Sequence, residues 1–170
     1  MIVLRRLASG VWDHAGARFT EWLGLVPLMG VGTALYAQPE ALTATRSFAT
    51  LAAWMGPGAW SNLLLLCGLF RLVALAVNGT FRAFPYSPLI RFFASGVAAM
   101  FWMLFTVGVY DAWRNAGGGP TPIIAYGTLI LLELRNAYVS RVDMAASARG
   151  RGYAGTCLLY TSPSPRDKRQ

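Results

Sequence analysis

The sequence predicts an all-α, polytopic integral membrane protein, with four transmembrane helices preceded by an N-terminal interfacial helix. Three observations carry this. The chain of 170 residues is 55% hydrophobic and only 13% charged, where an average soluble domain is about 25% charged. The stretch Trp60 to Val77, WSNLLLLCGLFRLVALAV, is almost unbroken in its apolarity; as a helix it is roughly 27 Å long, close to the ~30 Å hydrocarbon thickness of a bilayer. The formal charge of +8 is dispersed singly between apolar runs. It therefore reads as a set of topology determinants, and nucleic acid is not expected as a partner.

Met1 to Arg18 mixes Ile2, Val3, Leu4, Leu7, Val11 and Trp12 with Arg5, Arg6 and Arg18. It is too short and too charged to span, which makes an interfacial amphipathic helix the natural reading. Helix one is expected over about 22–37, with Pro27 in its middle, a residue that membrane helices tolerate and that predicts a kink there. Gln38 to Ala59 holds a shorter apolar piece, Phe48 to Met55. It cannot span, and is either an interfacial helix anchored by Trp54 or a re-entrant segment. Helix two is expected over 60–77, stopped by Asn78 and Gly79. Helix three is expected over 88–110, with Pro88 in the first turn, where a missing N–H costs nothing. Ala94, Ser95, Ala98 and Ala99 would admit a close helix neighbour, and Phe101, Trp102 and Phe105 would face lipid or fill the bundle beyond. Asp111 to Thr121 is a glycine-rich connection. Helix four is expected over 122–139, and the sequence from Ser140 onward reads as a polar tail.

Arginine counts set the topology. Arg5, Arg6 and Arg18 precede helix one, Arg82 and Arg91 flank the connection between helices two and three, and Arg141, Arg149 and Arg151 follow helix four. The remaining connections hold Arg46 and Arg114, each balanced by an acid, Glu40 and Asp111. By the positive-inside rule both termini and the middle connection lie in the cytoplasm, and the membrane is a bacterial inner membrane. Tyr36, Trp60, Tyr110 and Trp113 then fall at the outer interface, and Trp22, Tyr86 and Tyr138 at the inner one.

No serine–histidine–acid set is available, His14 is the only histidine, and Cys67 and Cys157 lack metal-type spacing. A non-enzyme is expected, with no catalytic residue, no metal and no cofactor. The polar residues that ask for an explanation are Arg71, Asn78, Glu133 and Asn136. Arg71 precedes Asn78 by seven residues, and Glu133 precedes Ser140 by seven. On two helices descending in the same direction, this puts the two charges at one depth. Pairing of Arg71 with Glu133 is one reading; the other is that each side chain snorkels separately to the nearby interface.

The stretch from Arg71 through Asn78, Gly79 and Arg82 to Ser87, Pro88 and Arg91 resembles small multi-span membrane proteins of unknown function from tailed phages and prophages. There an arginine-bearing helix ends in Asn-Gly and a Ser-Pro-x-x-Arg begins the next. The resemblance covers about Gly68 to Trp102. It implies a virus-associated inner-membrane protein, holin-like or accessory, although small holins have fewer spans and a lysine-rich tail. Cys157 to Asp167, CLLYTSPSPRD, resembles a translated sequencing adapter, so 157–170 is read as a non-native tail behind a single membrane domain over 1–156. Without it the chain carries twelve arginines, six acids and no lysine.

Two classes of function follow. One is a non-enzymatic protein whose partners are the lipid bilayer, further copies of itself or other membrane proteins. The other is a subunit of a small-solute or ion transporter or channel that uses Arg71 and Glu133 as an intramembrane polar pair.

Overall fold

The computed structural model describes the backbone of residues 18–80 and 86–160 and the side chains of 18–77 and 86–149. The interfacial helix expected over 1–18, the arginines Arg5, Arg6 and Arg82, and the side chain of Asn78 lie outside that range, apart from Arg18. Every element among the described residues is helical. They are α1 (Phe19–Ala37), α2 (Glu40–Ala44), a 3-10 turn (Arg46–Phe48), α3 (Ala49–Trp54), α4 (Pro57–Thr80), α5 (Ser87–Asn115) and α6 (Thr121–Tyr160).

Two helices, over Pro57–Val77 and Ser87–Asn115, are long and apolar enough to cross a membrane by length and composition. α1 and α6 fall short of that test. The reason is visible in their sequences: α1 carries Glu21, and the apolar part of α6 ends in Glu133, Arg135 and Asn136.

The helices begin and end differently from the boundaries predicted by apolarity alone. α4 opens at Pro57, three residues before the expected start of helix two, in the first-turn position where proline loses no hydrogen bond. α4 also continues through Asn78 and Gly79 to Thr80. α1 is continuous through Pro27. The largest difference is α6, which has 40 residues and runs far past the expected end at 139. It takes in Ser140 to Thr156 and the start of the adapter-like string. Nothing between Ser140 and Tyr160 is a helix breaker except isolated glycines, and a glycine costs only about 1 kcal/mol in a helix.

The four long helices form a ring in which α1 packs on α4, α4 on α5, α5 on α6 and α6 on α1. Neighbours are antiparallel. Ser61, early in α4, donates to the carbonyl of Gly32, late in α1, while Arg71, late in α4, reaches Glu21, early in α1. The most extensive packing is between α5 and α6. Past Ser87, Pro88 and Arg91, the buried face of α5 runs through Ala94, Ser95, Ala98 and Ala99, small side chains that let the backbones approach. Beyond them the core is aromatic: Trp102 lies parallel to Tyr126 at 5.8 Å, and Phe105 meets both Tyr126 and Trp60 edge-on.

Trp60 is a correction to the predicted aromatic belt. It is buried, and its indole N–H donates to the Leu51 carbonyl at 2.9 Å. Tyr36, Tyr110 and Trp113 are exposed at that same end, and Tyr86 and Tyr138 at the other. The Phe48 to Met55 segment becomes the 3-10 turn and α3, seated on α5 with Leu51 fully buried against Gly108.

Candidate functional site

The helical period of α1 buries Glu21, Gly24, Leu28, Gly32 and Leu35 on one face. Glu21 thus points into the bundle at the end where α4 finishes and α5 begins. On α4 the buried face passes through Trp60, Leu64, Cys67 and Arg71, and on α6 through Glu133, Asn136 and Ser140. Three helices therefore direct charged residues to one level, and α5 adds Arg91, which is 2% exposed.

Two fully buried ion pairs anchor the cluster, and Arg18 and Asp143 extend it. Arg71 Nη1 lies 2.5 Å from Glu133 Oε1, and Arg71 Nε donates to the Glu21 carbonyl at 2.9 Å. Arg91 grips the Glu21 carboxylate with two bonds, Nε to Oε2 at 2.7 Å and Nη2 to Oε1. Its Nη1 donates to Asp143 Oδ2 at 3.0 Å, and Arg18 donates to the same oxygen at 2.6 Å. Arg18 also stands 3.6 Å from Glu21. Among the described residues the cluster holds three arginines and three carboxylates, so its formal charge cancels.

The pairs run along the two diagonals of the ring. Arg71 to Glu133 joins α4 to α6, and Arg91 to Glu21 joins α5 to α1. Helices opposite one another are tied by these two pairs, while adjacent helices meet through apolar side chains and, at this end, also through Asp143, which joins α6 to Arg91 of α5 and to Arg18 at the start of α1. Gly24 makes the first diagonal geometrically open, because a Cβ there would stand 2.5 Å from Glu133 Oε1 and 2.8 Å from Arg71 Nη2.

Asn136 extends the cluster. Its side-chain amide donates to the Thr20 carbonyl at 3.2 Å and to Glu133 Oε2 at 3.4 Å. Arg135, beside it in sequence, turns outward and donates to Thr20 Oγ1 at 2.7 Å. Burial alone would raise the Asp143 carboxyl, but hydrogen bonds and charge from Arg18 and Arg91 outweigh it and hold that carboxyl below the usual carboxylate value.

The structure thus brings together Arg71, Glu133 and Asn136 of the residues singled out from sequence. Arg91 and Arg18, grouped there with the topology charges, sit in the same cluster, while Arg141 is exposed. Glu21 and Asp143 had no assigned role. No family model, curated protein or solved structure matches this chain. What the site does must therefore come from its own chemistry. A neutral, buried set of arginines and carboxylates excludes net charge from the bundle interior and fixes the helices against one another.

Proposed function

We propose that the chain is a four-span membrane protein of the bacterial inner membrane, with both termini cytoplasmic. It would be encoded by a phage or prophage and act without chemistry of its own, by helix packing, oligomerisation or contact with other membrane proteins, in a holin-like or accessory role. One observation carries the membrane part of this reading. Large apolar side chains are exposed on every long helix, among them Val26, Leu66, Val73, Met100, Met103, Ile124 and Leu131, while the charges of Arg71, Arg91, Glu21 and Glu133 are turned inward and paired. In water that distribution is unfavourable on both counts; in lipid the apolar surface is solvated, and the interior pairs avoid a cost of at least ~2.5 kcal/mol for each lone charge.

Reporter fusions test it. A periplasm-active reporter is expected to be silent when joined after Asn78 or Arg151 and active after Gln38 or Gly118; activity after Asn78 would refute the four-span arrangement.

A second reading is favoured by a specific observation. Arg71 Nη2, Asn136 Oδ1 and Ser140 Oγ are buried without a hydrogen-bond partner among the described residues. A purely structural clamp has no use for unsatisfied groups, each of which costs about 1–3 kcal/mol. A transporter or channel subunit built around Arg71 and Glu133 would use them to meet a polar solute.

A further inference from the structure

The two diagonal ion pairs are not equivalent. Glu21 is held by two bonds from Arg91 and by the nearby Arg18, which closes that pair. Arg71 reaches Glu133 through Nη1 alone and leaves Nη2 orphaned. Four buried side-chain polar atoms lack a partner among the described residues. Trp102 Nε1 lies in the aromatic core, and the other three belong to this pair and its continuation along α6.

That continuation is regular. Glu133, Asn136, Ser140 and Asp143 follow at spacings of three, four and three residues, which on a helix is a single face. The face is buried from Glu133 (1%) through Asn136 and Ser140 (both 0%) and reaches solvent only at Asp143, whose side chain is 31% exposed. The face spans about 15 Å from the deep pair to the charged end of the bundle. In the opposite direction the described neighbours are apolar or only weakly polar, with Cys67 one turn before Arg71 and Tyr126 two turns before Glu133. Leu28, one turn beyond Gly24, and Leu64, two turns before Arg71, are both fully buried, and Phe105 is 1% exposed.

We propose that this face of α6 lines a one-sided hydrated inlet, open at Asp143 and closed beyond Glu133 by Leu28, Leu64 and Phe105, whose ligand is water. The set of donors and acceptors suits that ligand. A buried water needs two to four polar partners, and the site offers a donor at Arg71 Nη2, an acceptor at Asn136 Oδ1, carboxylate oxygens at Glu133 and a hydroxyl of either sense at Ser140. The net charge of the surrounding cluster is zero, so the inlet selects neither cation nor anion. Asn136 shares Glu133 with Arg71, which keeps the first two orphaned atoms around one carboxylate, and Ser140 lies one turn further out. The closed end distinguishes the inlet from a through-channel. The inference rests on the membrane-spanning reading above, because only in lipid is a hydrated face distinct from its surroundings.

The test is cysteine accessibility in the full chain, reconstituted in liposomes after Cys67→Ala and Cys157→Ala, with single cysteines introduced by Ser140→Cys, Leu64→Cys, Leu131→Cys and Arg141→Cys. Ser140→Cys exchanges only an oxygen for a sulfur, so folding is not at issue for the decisive variant. The probe is a small membrane-impermeant methanethiosulfonate, which reacts with the thiolate, and each unit by which burial raises a thiol pKa removes about tenfold of it. Ser140→Cys is expected to react on the order of tenfold or more faster than Leu64→Cys and Leu131→Cys, and only from the side that also labels Arg141→Cys. Equal slowness of Ser140→Cys and Leu64→Cys would overturn the inlet, and equal speed would overturn its closed end. Labelling of Leu131→Cys as fast as Arg141→Cys, with Ser140→Cys fast as well, would instead remove the membrane reading on which the inlet depends.

Discussion

Gly24 shows how much can rest on one missing methyl group. A Cβ there falls within 3.0 Å of both partners of the Arg71–Glu133 pair. The side-chain tips can move aside, but only by loosening a buried charge-assisted hydrogen bond worth roughly 1.5–3 kcal/mol. Gly24→Ala should therefore destabilise the protein by about that amount. Gly30→Ala, on the same helix with nothing within 4 Å of its added Cβ, should be neutral or slightly stabilising, because alanine is the better helix former by about 1 kcal/mol. Thermal unfolding in one detergent compares the two. At this scale the sequence was informative about Arg71 and Glu133, whose depths follow from helix length and direction. It was silent about Glu21, which stood at an apparent helix boundary, and it gave Arg91 to the loop because nearness to a loop in sequence does not tell which way a side chain turns around the helix.

At the scale of elements, α3 is seated chiefly through Leu51, with Thr50 donating to Asp111 of α5 beside it. Leu51 reaches into the space left by Gly108, where an added Cβ would stand 2.6 Å from Leu51 Cδ2, and the Leu51 carbonyl accepts the Trp60 indole N–H. Leu51→Ala should cost about 2–5 kcal/mol, the usual range for emptying a buried leucine site. Gly108→Ala should lift α3 off α5 and speed tryptic cleavage at the exposed Arg46; unchanged cleavage would mean that α3 is held by other contacts. Periodicity had identified a short apolar segment here, but its partner is a glycine, and an absent side chain leaves no mark in a hydrophobic pattern. The length of α6 was hidden differently. Once its residues beyond 139 are read as polar tail, the polar face running from Glu133 to Asp143 cannot be seen, although its spacing of three, four and three is plain when the helix is extended.

At the scale of the whole molecule, the ring of apolar contacts is closed by charge at one end, and that end should respond to acid. The folded-state pKa of Asp143 lies below its unfolded value of about 3.9. Its contribution is therefore fully present above that value and is lost as pH falls through the lower folded one. The wild-type unfolding temperature should fall below about pH 4, and Asp143→Asn should be less stable at pH 7 yet less sensitive to acid. An identical slope in the two proteins would show that Arg18 and Arg91 draw nothing from this carboxylate.

The helical fold was largely legible in the sequence because apolar run length and helix-compatible composition are local properties. The diagonal arrangement was not, since it depends on which helices are neighbours, and the sequence orders helices without stating who packs on whom. Its most direct test is a double-mutant cycle on Arg71→Leu and Glu133→Leu. Each single variant strands a buried charge and should lose about 3–5 kcal/mol. The double variant should lose less than their sum, by a coupling of roughly 0.5–3 kcal/mol. Strictly additive losses would mean that the two residues do not interact, and would contradict a bundle tied across its diagonals by paired charge.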